Sequence, residues 1–114
     1  MDSTSLKRLE HKLREHNETD WVLVAQVMEE AGAQGYPATE DTAIDCIVQL
    51  HEQGKIRIGT YMPNAPEGFV PWEEPLLNLS NRLHVALAPK DPDDPAGPAM
   101  STMIDFIDDP PAGE

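Results

Sequence analysis

The chain is 114 residues long and carries a formal charge of −13, with 21 acidic side chains against eight basic ones. That length suits one domain with appendages, and the charge disfavours polyanions, since each phosphate contact needs a cation to displace a counterion. No run approaches the ~18 apolar residues that span a bilayer, no secretory signal pattern opens the chain, and Cys46 alone excludes an intrachain disulfide.

In chain order, Leu6, Leu9 and Leu13 recur at i, i+3 and i+7, which predicts a first helix. Ser3, Thr4 or Ser5 can cap it and Asn17 can end it. Its outer face carries Lys7, Arg8, Lys12 and Arg14 among Glu10 and Glu15, the one basic-leaning surface in the sequence. A second helix is expected from Trp21 to Ala31 behind the N-cap candidates Thr19 and Asp20, with Trp21, Leu23, Val24, Val27 and Met28 on a wide apolar face. Gly32 and Gly35-Tyr36-Pro37 break that pattern.

Thr39 caps a predicted third helix, with Glu40 and Asp41 against the positive end of its dipole. Ala43, Ile44, Ile47, Val48 and Leu50 form its inward stripe, and Gly54 suits the left-handed position past its C-terminus. Lys55 to Tyr61 alternates with period two, as a half-buried strand does. Pro63 to Gly68 turns the chain and Phe69-Val70-Pro71-Trp72 returns, with Pro71 confining that strand to an edge. Pro75 suits the first turn of a last helix that carries Leu76, Leu79, Leu83 and Leu87 on one face. From residue 89 onward there are six prolines, seven acids and one base, a composition that predicts disorder.

The expected fold is therefore α+β: a mainly α, winged-helix-like αααββα domain over residues 1–88 with a small β-hairpin, and a disordered acidic tail over 89–114. Asp20-Trp21-Val22, then Leu50 to Gly54-Lys55-Ile56-Arg57-Ile58-Gly59, then Gly68-Phe69-Val70-Pro71-Trp72, resembles a group of small actinobacterial winged-helix-like proteins. The likeness spans roughly residues 20–88, so neither the first helix nor the tail falls within it. It implies the fold and brings no catalytic residues.

Chemistry is poorly represented. His11 and His16 lie five apart, as do Cys46 and His51, so neither pair has the i, i+4 spacing of a helical ligand set. There is no CxxC, HExxH, nucleophile elbow or phosphate loop, so neither metal, cofactor nor enzymatic activity is expected. The third helix has four acids and no Lys or Arg between residues 40 and 52, and the wing offers only Lys55 and Arg57, so direct DNA binding is disfavoured.

A protein partner of basic character fits better, with Tyr61, Phe69 and Trp72 as aromatic contacts. For Trp72, core and interface are equally open. In the tail, Met100, Met103, Ile104 and Ile107 recur at i, i+3, i+4 and i+7 with Phe106 among them, the anchor spacing of a short amphipathic helix over 100–109. Three readings stand open: Met103, Ile104, Phe106 and Ile107 dock on a partner, fold back on this domain, or are chance hydrophobes in an acidic tail. The expected function is a non-enzymatic adaptor or a neutralising protein, immunity- or antitoxin-like, for a basic partner. The alternative is a winged-helix transcriptional regulator that uses Lys7, Arg8, Lys12 and Arg14. Oligomeric state is not fixed by the sequence.

Overall fold

A computed structural model describes residues 3–18, 20–65, 68–73, 78–88, 93 and 100–107. Among these residues it is an α+β fold in which helices pack with a four-stranded antiparallel sheet. The elements run α1 (Ser3–Asn17), β1 (Val22–Leu23), α2 (Val24–Ala33), α3 (Glu40–Glu52), β2 (Ile56–Tyr61), β3 (Phe69–Pro71), α4 (Leu79–Leu87) and β4 (Thr102–Phe106).

The local signals act where the sequence places them. Leu6, Leu9 and Leu13 are buried along α1. Thr39 Oγ1 accepts the Thr42 N–H, which satisfies one of the orphan donors at the start of α3. The same helix ends in a Schellman motif: the Lys55 N–H donates to the Leu50 carbonyl and the Gly54 N–H to that of His51. Gly54 holds φ +72 there, a conformation that costs a residue with Cβ.

Two elements depart from expectation. The second helix starts at Val24, because Val22 and Leu23 pair with Ile104 and Met103 as an edge strand. Gln26 Oε1 accepts the Leu23 N–H at 2.8 Å and thereby closes the helix start. In the tail segment, expected as a helix over 100–109, Met100 and Ser101 are helical, but Thr102–Phe106 instead form β4 between β1 and β2, giving the order β1-β4-β2-β3. Its register on β2 runs from Ile56↔Phe106 to Thr60↔Thr102. The β-forming residues Thr102, Ile104 and Phe106 alternate with period two, and burial against strands far upstream favours that pattern over the helical spacing. The sheet therefore crosses the boundary drawn at residue 88. Residues 108–109, the expected start at Pro75 and nearly all of the proline-rich linker lie outside the described residues.

Antiparallel pairing puts directly opposed residues on one face. Val22, Ile56, Ile58, Ile104 and Phe106 share the inner face, and the first four join the leucines of α1 and α4 and the stripe of α3 in one hydrophobic core. Helices α1, α2 and α3 contact the sheet, and α4 packs on α3. Glu10, only 5% exposed, accepts from Arg14 Nε at 3.0 Å and Lys55 Nζ at 2.7 Å. A carboxylate this buried needs both cations to offset its lost hydration. Arg14 also lies 4.4 Å over the Phe106 ring.

Candidate protein-interaction site: the outer face of the sheet

The same register assigns Leu23, Met103, Gly59, Tyr61 and Phe69 to the opposite face. Phe69 and Met103 are each 3% exposed, yet neither belongs to the main core cluster. What covers Phe69 is local. Trp21, just before β1, stacks on Phe69 with ring centroids 5.6 Å apart and planes 16° from parallel. The Arg57 guanidinium lies 4.8 Å over the Phe69 ring.

Gly59 makes this arrangement possible. A Cβ there would stand 2.6 Å from Phe69 Cζ and 2.6 Å from the Val70 carbonyl oxygen, so the ring lies flat across the strand only because no side chain intervenes. Trp21 and Tyr61 both reach within 3.7 Å of the point a Cβ on Gly68 would occupy. The three rings therefore converge on one corner of the sheet.

A cleft of about 290 Å³ opens beside them. Trp21 and Tyr61 wall it, Leu23 and Met103 lie at its base, and Met100 enters from the residues ahead of β4. Tyr61 is 49% and Met100 52% exposed, which is where a partner side chain would gain contact area. His16, Gln26 and Asp20 supply the polar rim, and His16 Nε2 is 3.3 Å from Glu30 Oε1. A second hollow is lined by Trp21 together with Glu18, Asp20, Asn17 and Asp105. Asp20 and Trp21 thus line both the cleft and the acidic hollow.

The tail is fastened beside this site. Asp105 pairs with Arg57 Nε at 2.9 Å and accepts from Asn17 Nδ2 at 3.1 Å, while the Phe106 N–H donates to Asn17 Oδ1. The Ile107 N–H donates to the Lys55 carbonyl.

Of the seven residues expected to contact a partner, the sheet brings together Tyr61, Phe69 and Met103. Ile104 is fully buried in the inner core and presents no surface, because the segment is a strand whose alternate residues point inward. Phe106 packs against that core beneath Arg14, and Ile107 is 58% exposed away from the cleft lining. Trp72 also belongs to the inner side: its indole N–H donates to Thr60 Oγ1 at 3.0 Å, and Arg82 lies 4.4 Å over its ring. Trp21 and Leu23 are the site residues that sequence periodicity sent into a helix core. Their one signal was the pair of β-forming residues Trp21 and Val22 straight after the polar stretch Asn17 to Asp20.

Chemistry elsewhere is muted. Cys46 is buried, and desolvation, with Asp45 adding, pushes its thiol up to about 11, which keeps it protonated. No group of three or more His, Cys, Asp or Glu could hold a metal ion among the described residues. Among them too, no helix is long and apolar enough to cross a membrane.

The two cations of the expected wing are paired internally, Lys55 with Glu10 and Arg57 with Asp105. On α1, Arg14 is held by Glu10, while Lys7, Arg8, His11 and Lys12 line a shallow depression with Gln34. Compared with known proteins, the chain matches no family model, no curated protein and no solved structure.

Proposed function

We propose that this chain is a non-enzymatic, winged-helix-like protein-interaction module that binds a basic polypeptide. The order α1-β1-α2-α3-β2-β3 supports the winged-helix reading, with α4 and β4 as additions. The observation that carries the function is the outer face of the sheet, where an aromatic and methionine cleft sits against exposed carboxylates in a chain of charge −13. Such a surface attracts cationic partners over distance and rewards an apolar contact at close range. That preference supports an adaptor or neutralising role, which we place in the cytoplasm. Selection from a random peptide display library at physiological ionic strength tests it. Enrichment of Lys- or Arg-bearing sequences is expected, and enrichment of acidic sequences, or none, overturns the reading.

The second reading, a DNA-binding regulator, draws on the depression lined by Lys7, Arg8, His11 and Lys12. Against it, the exposed positions of α3 include Asp41, Asp45 and Glu52. A mobility shift with random duplex at low salt decides between them, because even non-specific binding by a cationic face appears there.

A further inference from the structure

We infer that the two hollows at Trp21 form one composite site for a pair of neighbouring side chains, an apolar residue next to a lysine or arginine. This deepens the basic-partner reading and rests on it. The cleft side offers Tyr61, Met100 and Met103, a wall of one phenol and two thioethers that adapts to aliphatic shapes. Its volume of about 290 Å³ is enough to admit one side chain. The second hollow at Trp21 presents Glu18 and Asp20, both exposed, while Asp105 is already neutralised by Arg57. Asp20 lines both hollows, so a cation drawn to it stands beside Trp21 and carries its apolar neighbour toward the cleft. Charge complementarity thus selects the occupant, and the cleft sets its register.

The site is also conditional on the tail. Met100 and Met103 come from the segment that ends in β4, and Asp105 of the same strand lines the acidic hollow. A docked β4 therefore completes both halves at once.

The test uses the full-length ¹⁵N-labelled chain and two blocked pentapeptides, Lys-Lys-Leu-Lys-Lys and Lys-Lys-Ala-Lys-Lys, at low salt. The leucine peptide should bind about tenfold more tightly, in keeping with burial of two or three extra carbons, and should shift the Trp21 indole resonance. Tyr61→Ser, at a half-exposed ring, should erase most of that preference, whereas Glu18→Gln should weaken both peptides alike. Equal affinities, an unmoved Trp21 signal, or a leucine preference that survives Tyr61→Ser would each overturn the composite site while leaving a basic partner in place. Failure of both peptides to bind would remove the basic-partner reading with it.

Discussion

The two faces of the sheet reach similar burial by different means. On the inner face, Ile56, Ile58 and Ile104 are covered by helices, so each contact is shared with a second layer. On the outer face, Phe69 and Met103 are just as hidden, but the cover of Phe69 is Trp21, which is only partly buried, and Arg57. Low exposure alone does not separate core from site. The useful question is whether the covering groups are themselves anchored or are free to trade solvent for a partner.

Deleting an inner-face side chain is the strongest way to sharpen that contrast. Ile104→Ala should cost roughly 2–5 kcal/mol in urea unfolding, the usual range for emptying a packed aliphatic site. Ile107→Ala should change little, since that side chain is 58% exposed. The pair also separates the strand from an amphipathic helix lodged in a groove, where positions 104 and 107 would both be anchors and both substitutions would cost stability.

That ambiguity shows where sequence reading ends. The leucine stripe of α1, the Thr39 cap, the Gly54 stop and the Lys55–Trp72 hairpin all rest on interactions within a few residues, so propensity and spacing reach them. Strands β1 and β4 do not. Two residues are too few for a periodic signal, and β4 meets partners far upstream across a segment whose proline and acid content argues for disorder. Thr102, Ile104 and Phe106 obey period two while Met100, Met103, Ile104 and Ile107 obey the helical spacing, and only long-range pairing chooses between them. The site suffered the same blindness: Tyr61, Phe69 and Met103 were visible as candidates, but their meeting with Trp21 depends on β4 lying between β1 and β2.

A smaller effect tests the outer face directly. Gly59→Ala should cost roughly 1–3 kcal/mol, the range for overpacking, because its new methyl meets a backbone oxygen as well as the Phe69 ring at 2.6 Å. The expected readout is double: a lower urea midpoint and altered Trp21 fluorescence, as Phe69 is pushed from its stack. Unchanged fluorescence with unchanged stability would show that the ring is not seated across the strand.

The smallest effect belongs to the helical layer, away from both faces, and acts as the control. His84 on α4 bonds the Ser80 carbonyl at 2.8 Å and Asp41 of α3 at 3.1 Å. Those bonds, the backbone one foremost, raise its pKa above the ordinary 6.5. A raised folded-state pKa means that protonation favours the folded chain, so the contribution is complete below 6.5 and fades as pH climbs through the raised value. Since His84 is exposed, His84→Gln should lower the melting temperature only slightly at about pH 5 and not at all at about pH 9. An NMR titration midpoint at or below 6.5 would show that the α3–α4 pair does not favour the imidazolium. Peptide binding on the outer face should be the same in this variant, because His84 lines neither hollow beside Trp21.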